Sequence, residues 1–320
     1  MRALVLDNEL RFEKDYPTPM PPKGEALVRV LQTGICNTDL ELVKGYMSFT
    51  GVPGHEFVGV VEQTDDRPDL IGQRVAGEIN AACGVCPTCR ANRPTHCPHR
   101  TTLGIDRRNG AFADYLVLPY ENLHPLPAVV SNDQAIFVEP LAAACEILQQ
   151  IHVRPTDHVV VTGDGKLGLL CAQVLAATGC HLTVLGRHAD KLQILTRHGI
   201  ETTTEPQTLA PASSDLVVEA TGTPSGFETA RRIVRPRGTI VLKSTYHGDI
   251  TVNLSRVVVD EVTLIGSRCG PFEPAIRLLA NKQIEVEALI QARYSIDEGL
   301  AAFKRAATKG ALKVVVTMTT

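Results

Sequence analysis

A glycine-rich turn between an apolar strand and an apolar helix is the feature that most constrains the fold of this 320-residue chain. Residues 158–162 read His-Val-Val-Val-Thr, and a G-x-G-x-x-G pattern and a helix-forming apolar run follow. In that setting the glycines form a tight turn that lets a pyrophosphate reach the helix N-terminus, where free N–H groups and the helix dipole favour an anion. The turn therefore predicts a dinucleotide site. Its predicted cofactor-binding residues are Gly163, Asp164, Gly165, Lys166, Leu167 and Gly168.

The sequence around this turn alternates between buried strands and helical periods. The apolar strands are residues 159–161, 182–185, 216–218, 239–242 and 262–265. Strand–helix alternation at this spacing predicts a doubly wound parallel sheet of the Rossmann type. We expect residues 143–272 to form this domain of a two-domain α/β protein.

The rest of the chain reads as short strands separated by proline- and glycine-rich turns. Residues 26–30, 57–61 and 115–118 are examples, and the pattern predicts a barrel-like β unit. Residues 313–317 form a last apolar strand that could return to this unit. We therefore expect residues 1–142 and 273–320 to form one domain.

The end of the second strand of the parallel sheet bears on the choice of dinucleotide. An NAD-selective site places an acidic residue there to accept the ribose hydroxyls. Here Gly186 holds that position and is followed by Arg187 and His188. A guanidinium suits a phosphate, so the sequence favours NADP over NAD. In the alternative, Arg187 is a solvated charge and the protein accepts both cofactors.

Composition excludes several classes of function. The net charge is −3 and no basic block occurs, which argues against a nucleic-acid partner. No apolar stretch approaches the length of about 20 residues that a membrane span needs, so no membrane association is expected. Nine cysteines without a secretory signal indicate reduced thiols and a cytoplasmic location.

Four of the cysteines lie within fifteen residues of one another. Cys83, Cys86, Cys89 and Cys97 have the spacing C-x2-C-x2-C-x7-C, which suits a closed tetrahedral zinc site in a lobe of about residues 80–100. A disulfide framework and an iron–sulfur cluster are the alternatives. His96 and His99 could replace a cysteine, but four thiolates already complete the site. The pattern indicates a structural rather than a catalytic metal.

A second set of metal-binding residue types is dispersed in the sequence. A catalytic zinc needs about three protein ligands and one open position. Cys36 and His55 offer a thiolate and an imidazole, and Glu56 and Glu139 are carboxylates that could complete the set. Taken alone, Cys36 could be a buried core cysteine, and the His55–Glu56 pair a surface feature. Their occurrence together with the four-cysteine segment favours the metal site.

Taken together, these motifs resemble the zinc-containing medium-chain dehydrogenase/reductase family, which includes alcohol, sorbitol, threonine and glucose dehydrogenases. The resemblance spans essentially the whole chain. Its motifs are Gly34-x-Cys36-x-Thr38-Asp39, Gly54-His-Glu-x-x-Gly59, the cysteine lobe, Gly110-Ala-Phe-Ala-Asp-Tyr-Leu-Val-Leu-Pro119, Glu139-Pro140, the glycine turn and Glu219-Ala-Thr-Gly222. The resemblance implies a GroES-like β-barrel catalytic domain beside the Rossmann domain, two zinc ions per chain, and a homodimer or homotetramer.

The resemblance also implies roles for individual residues. Cys36, His55 and a carboxylate would hold the catalytic zinc, with Glu139 at the position of the family's glutamate ligand. Glu56 matches a mobile glutamate that can approach the metal. Thr38 matches the hydroxyl that relays the substrate proton, and Asp39 the carboxylate that orients the histidine. Thr221 and Gly222 would lie near the nicotinamide ribose.

The activity that follows is hydride transfer between an alcohol or carbonyl substrate and the nicotinamide, with zinc as Lewis acid. A glutamate ligand favours a polyol or sugar among the small-molecule substrates. The alternatives are a zinc-independent quinone or enoyl reductase on the same fold, and a catalytically inactive binding or regulatory member. The apolar run 257–265 predicts a strand at a sheet edge that could pair with a second subunit.

Overall fold

The computed structural model describes residues 1–245 and 251–318, which form two compact units. The first unit is Met1–Glu139 together with the C-terminal segment from Phe272, and the second is Pro140–Pro271. Among the described residues, no helix is both long enough and apolar enough to cross a membrane.

The N-terminal part of the first unit consists of short strands and brief helices. Its strands are β1 (Ala3–Leu6), β2 (Leu10–Glu13), β3 (Glu25–Gly34), β4 (Glu56–Thr64), β5 (Arg74–Gly77), β6 (Asn80–Ala81), β7 (Thr101–Leu103), β8 (Arg107–Arg108), β9 (Tyr115–Pro119) and β10 (Leu123–Pro125). Its α-helices are α1 (Asn37–Val43), α2 (Pro87–Arg90) and α3 (Asn132–Ala135). Single 3-10 turns occur at Tyr46–Ser48, Pro68–Leu70, Pro94–His96 and Tyr120–Asn122.

Strand β3 is the centre of the main sheet of this unit. Ala26, Val28 and Val30 are buried while the residues between them are half-buried, the alternation expected of a strand with one core face. β3 pairs antiparallel with both β4 and β9, and the sheet continues from β4 to β5 and β10. Gly34 lies opposite Glu56 in the β3–β4 register. The end of β3 and the start of β4 therefore meet at one place.

The second unit alternates strands and helices, as the sequence predicts. Its elements are α4 (Val138–Gln150, which begins in the first unit), β11 (His158–Thr162), α5 (Lys166–Ala176), β12 (His181–Leu185), α6 (Ala189–Thr196), β13 (Glu201–Thr203), a 3-10 turn (Pro206–Thr208), β14 (Ser214–Glu219), α7 (Pro224–Ile233), β15 (Val234–Leu242), α8 (Leu254–Val259) and β16 (Thr263–Gly266).

The strands of the second unit form a parallel sheet in the order β13-β12-β11-β14-β15-β16. This is the strand order of a dinucleotide-binding doubly wound fold, and the prediction of that fold is confirmed. The order reverses between β11 and β14. Ligands of such sheets bind outside the carboxyl ends of the strands at that reversal.

The chain then returns to the first unit. The returning elements are α9 (Phe272–Ala280), a 3-10 turn (Glu287–Leu289), β17 (Ile290–Ser295), a 3-10 turn (Ile296–Glu298), α10 (Gly299–Ala306) and β18 (Lys313–Thr317). β18 pairs antiparallel with β3, with Val315 opposite Gly34. The predicted return of residues 313–317 to the β unit is confirmed, and it brings a third strand to the place where β3 ends and β4 begins.

The prediction of one strand over residues 257–265 is only partly right. Residues up to Val259 belong to helix α8, and the strand β16 is limited to Thr263–Gly266. Asp260 ends the helix, and Glu261 has a φ of 49°, so the chain turns at two polar residues before the strand begins. β16 is nevertheless an edge strand of the sheet.

Candidate metal centres and dinucleotide site

Asp39 lies between the two predicted metal ligands Cys36 and His55. Cys36 is the N-cap of α1, and its backbone N–H donates to Asp39 Oδ2 at 2.8 Å, which fixes the turn between β3 and the helix. The other oxygen, Oδ1, lies 3.2 Å from Nδ1 of His55. Asp39 is 0% exposed. One buried carboxylate therefore binds the Cys36 backbone and lies against the His55 ring, which leaves Nε2 of His55 for a metal.

The surroundings of His55 favour a positive charge on or near its ring. Burial opposes the charged imidazolium and is the largest single influence on the pKa of His55. The Asp39 carboxylate and then Cys36 outweigh burial, so the pKa of His55 is raised well above its usual range. A zinc ion would fit these surroundings equally well. The imidazole would bind it in the neutral form, and the metal would supply the positive charge beside Asp39.

Glu56, the residue after His55, forms a buried ion pair with Lys313 at the start of β18. Both side chains are 1% exposed. Gly34 makes room for them, since a Cβ there would lie 2.8 Å from Glu56 Oε2 and 2.9 Å from Lys313 Cδ. The Lys313 ammonium also lies 5.4 Å from the ring centre of Phe137. The pairing gives each of these two buried groups an oppositely charged partner.

A metal would fit among these side chains. Ligand atoms of Cys36, His55 and Glu56 all lie within 4.8 Å of one another. Thr38 is adjacent, with its hydroxyl oxygen 3.9 Å from the Cys36 sulfur. Glu139 is half-buried in the first turn of α4 and is not a member of this group. The structure thus brings together five of the predicted residues, Cys36, Thr38, Asp39, His55 and Glu56, and Glu139 is not in the group of ligand atoms.

The four cysteines of the lobe converge as a zinc site requires. Their Sγ–Sγ distances are 3.5 Å (Cys86–Cys89 and Cys97–Cys83), 3.8 Å (Cys86–Cys97) and 4.0 Å (Cys83–Cys89). Zn–S bonds of about 2.3 Å in a tetrahedron place the sulfurs about 3.8 Å apart. All four are free thiols, so they do not form the disulfides of the alternative prediction. The distances match a tetrathiolate zinc.

The glycine turn of the second unit has the close contacts that its pattern predicts. Gly163 follows β11 with a φ of 115°, and a Cβ there would lie 2.8 Å from the carbonyl oxygen of Ala220. A Cβ on Gly168 would lie 2.1 Å from the carbonyl oxygen of Gly163, so only glycine lets α5 approach β11. Gly165 faces open space at the N-terminus of the 11-residue α5, which leaves the helix end accessible to an anion.

The end of β12 differs from the prediction in one respect. Gly186 itself carries no carboxylate, but the side chain of Asp164 lies beside it. Oδ2 of Asp164 accepts the backbone N–H groups of Arg187 and His188, each at 2.6 Å, and lies 2.9 Å from Nδ1 of His188. NADP is predicted from a strand end without an acid, but the Asp164 carboxylate lies at this strand end.

Thr221 and Gly222 follow β14 on the other side of the strand-order reversal. The Thr221 backbone N–H donates to Glu219 Oε1 at 2.7 Å, and its hydroxyl contacts the same oxygen. Glu219 is fully buried. Gly222 has a φ of 64°. The buried glutamate therefore fixes the loop that carries both residues.

Two interactions were not deducible from the motifs. Lys313 is a single charge at the start of the otherwise apolar strand Lys-Val-Val-Val-Thr, and that isolated charge is the only sequence signal of its buried role. Asp164 is named by the glycine pattern, but its partners are 23 and 24 residues further along the chain. Both roles depend on tertiary pairing.

Comparison with known proteins agrees with this geometry. Residues 22–128 match the family model of the alcohol dehydrogenase GroES-like domain, and residues 167–281 match that of zinc-binding dehydrogenases. Together the two matches cover more than half of the chain. They confirm the predicted GroES-like and dinucleotide-binding pair of domains.

Individual proteins are similar over nearly their full length. Sorbitol dehydrogenase of Halalkalibacterium halodurans is 28% identical, with 95% of this chain and 94% of that protein covered. L-galactonate-5-dehydrogenase of Escherichia coli K12 is 28% identical, with 88% and 87% covered. A structure from Sinorhizobium meliloti 1021, described as a zinc-binding dehydrogenase bound to NADP, has a TM-score of 0.90 at 26% identity and covers 99% of this chain and 98% of its own.

The family matches, the fold and the two metal-binding clusters agree with one another, and the alternatives without zinc or without activity are not favoured. The chain belongs to the zinc-containing medium-chain dehydrogenase/reductase family of alcohol oxidoreductases, which act with zinc and NAD(P).

Proposed function

We propose that this protein oxidises a secondary alcohol of a polyol or sugar to a carbonyl with NAD(P), and catalyses the reverse reduction. The observation that carries the proposal is the buried arrangement in which Asp39 orients Cys36 and His55 beside the Glu56 carboxylate. The similar proteins named for sorbitol and L-galactonate support a hydroxylated substrate.

We assign the catalytic metal to Cys36, His55 and a carboxylate. Glu56 is the carboxylate that lies within reach of the other two ligand atoms, and Glu139 is the second candidate. When bound, zinc polarises the substrate oxygen and lowers the pKa of the alcohol. Thr38, half-buried beside the Cys36 sulfur, is positioned to accept the hydroxyl proton and pass it to solvent. Lys313 forms a buried ion pair with Glu56 and so gives this proposed ligand an oppositely charged partner.

We assign the dinucleotide to the carboxyl ends of the parallel strands. The turn Gly163, Asp164, Gly165, Lys166, Leu167 and Gly168 would hold the pyrophosphate at the N-terminus of α5. Gly186, Arg187 and His188 would face the adenosine ribose, and Thr221 and Gly222 the nicotinamide side. The first unit would then be the catalytic domain and the second the cofactor domain.

The remaining assignments concern the surroundings of the enzyme. Cys83, Cys86, Cys89 and Cys97 would hold a structural zinc. Cys36 and the four lobe cysteines are free thiols, which supports a reducing compartment and thus the cytoplasm. The apolar side chains of Leu254, Val258 and Val259 are 62%, 74% and 79% exposed next to the edge strand β16, and they support a homodimer or homotetramer formed through this edge.

A substrate panel tests the activity. The zinc-loaded protein is assayed with polyols, aldoses, sugar acids and simple alcohols, using NAD and NADP, by the nicotinamide absorbance. We expect turnover with at least one polyol or sugar, and loss of that turnover in Cys36→Ser. Cys180→Ser, at a half-buried cysteine outside both metal-binding groups, is the matched control and should retain activity. No turnover with any substrate and either cofactor would contradict the proposal.

A further inference from the structure

Asp164 places a carboxylate at the end of β12 from a different part of the chain. It belongs to the glycine turn after β11, and its side chain is 11% exposed. A Cβ on Gly186 would lie 2.7 Å from Asp164 Cβ and 2.8 Å from its Oδ2. The absence of a side chain at Gly186 is therefore what admits the carboxylate. A side chain at position 186 would occupy the volume that the Asp164 side chain fills. The acid of this strand end therefore comes from the glycine turn and not from the strand itself.

The carboxylate uses the polar donors of this strand end. The N–H groups of Arg187 and His188 and the Nδ1 of His188 all point to Oδ2. Burial raises the pKa of Asp164, but the hydrogen bonds from His188 and Arg187 outweigh it, and the pKa falls below its ordinary value. Asp164 is thus an anion at neutral pH. Its Oδ1 accepts no hydrogen bond within the described part of the chain, and it has acceptor capacity left.

These facts favour one kind of adenosine ribose. A ribose with free hydroxyls donates hydrogen bonds, and an ionised carboxylate accepts them. A 2′-phosphate needs donors and positive charge, but the two backbone N–H groups are already bonded, and the group that accepts them is a carboxylate. Arg187 and Lys191 of α6 oppose this as cations, but the Arg187 side chain is exposed, where its attraction is screened by solvent.

We infer that Asp164 determines the dinucleotide preference of this protein and selects NAD over NADP. The inference rests on the proposed function, because it concerns the cofactor of the same reaction. It reverses the preference that Gly186 and Arg187 suggest in the sequence. The acid that reads the ribose hydroxyls is supplied by the middle residue of the first Gly-x-Gly, and Gly186 is small in order to accommodate it.

The test measures binding directly and needs no substrate. NADH and NADPH are titrated into the zinc-loaded protein, and the dissociation constants are read from nicotinamide fluorescence. We expect NADH to bind at least about tenfold more tightly, a ratio that one like-charge contact supplies. In Asp164→Asn, the ratio of the NADPH to the NADH dissociation constant should fall by about tenfold. Asp190→Asn, an exposed acid three residues after Arg187, is the matched control and should leave the ratio unchanged.

A swap of the two positions keeps the test decisive if Asp164→Asn is unstable. Gly186→Ala alone should lower the melting temperature, because its Cβ collides with Asp164, and Asp164→Gly in the same chain should restore it. The variant Asp164→Gly with Gly186→Asp returns a carboxylate to the strand end and should again prefer NADH.

Tighter binding of NADPH by the wild type would overturn the inference while leaving the proposed function intact. So would a ratio of the two dissociation constants that is unchanged in both variants without the carboxylate, Asp164→Asn and Asp164→Gly with Gly186→Ala. Failure of the wild type to bind either dinucleotide would overturn the proposed function as well.

Discussion

At the scale of single residues, Asp39 should affect metal binding most among the residues that are not ligands themselves. Its buried carboxylate contacts two predicted zinc ligands, Cys36 and His55. Asp39→Asn keeps the shape but removes the charge that His55 and the metal both require. Partners of metal ligands typically contribute a factor of about 10–100 to metal affinity or activity. We therefore expect a chelator to remove the catalytic zinc from Asp39→Asn at a concentration about 10–100-fold lower than the wild type requires.

Asp114→Asn is the matched control for that measurement. Asp114 is a half-buried acid of the same unit, and it pairs with Arg2 rather than with a metal ligand. It should leave zinc retention unchanged. Equal zinc retention by the Asp39 and Asp114 variants would show that Asp39 does not support the metal.

The Lys313–Glu56 pair predicts a stability effect that depends on which partner is changed. Lys313→Met leaves a buried carboxylate without its partner, which typically costs about 3–5 kcal/mol. Adding Glu56→Gln removes the orphaned charge and should recover much of that loss. The free energy of unfolding from urea titration measures both. Equal stability of the wild type and Lys313→Met would show that the pair contributes little.

At the scale of elements, the glycines of the turn have two different roles. Gly168 lets α5 pack closely on β11, and Gly165 leaves the N-terminus of α5 open to an anion. Gly168→Ala forces a Cβ against the carbonyl of Gly163 and should destabilise the protein by about 1–3 kcal/mol through overpacking. Gly165→Ala adds a methyl group in open space, so it should leave the melting temperature nearly unchanged and weaken dinucleotide binding. Similar melting temperatures for both variants would contradict this division.

Among the elements, those with a local sequence pattern can be predicted from the sequence. The four lobe cysteines and the glycine turn are local patterns, so their spacing alone indicates their geometry. Strands such as β3 and β12 are also predictable, because a period-2 or fully apolar run determines which faces are buried. The break between α8 and β16 escapes this reasoning, because residues 257–265 are apolar on both sides of the Asp260–Glu261 turn.

Contacts between residues that are far apart in the sequence cannot be predicted from local sequence patterns. Glu56 and Lys313 are 257 residues apart, and the pairing follows from the return of β18 to β3. Asp164 reaches Gly186 because β11 and β12 are neighbours in the sheet, which no single motif states. Likewise, the motifs offer both Glu56 and Glu139 as ligands, and it is the tertiary structure that groups Glu56 with Cys36 and His55.

At the scale of the whole molecule, the exposed apolar side chains beside β16 predict self-association. Val258→Asp with Val259→Asp places charges on this surface and should shift the protein to a smaller species in light scattering after size exclusion. Val129→Asp, at an exposed valine in the first unit, is the control and should leave the mass unchanged. A monomeric wild type would rule out association through this edge.

The central claim is that a zinc held by Cys36, His55 and a carboxylate is needed for hydride transfer, while the cysteine lobe holds zinc only for structure. It is tested most directly by a zinc titration of metal-depleted enzyme, with turnover of the substrate from the panel read by nicotinamide absorbance. The rate should rise with added zinc and reach a plateau at about two ions per chain, the number of candidate metal-binding groups among the described residues. Full turnover with no zinc, or with only the lobe filled, would contradict it.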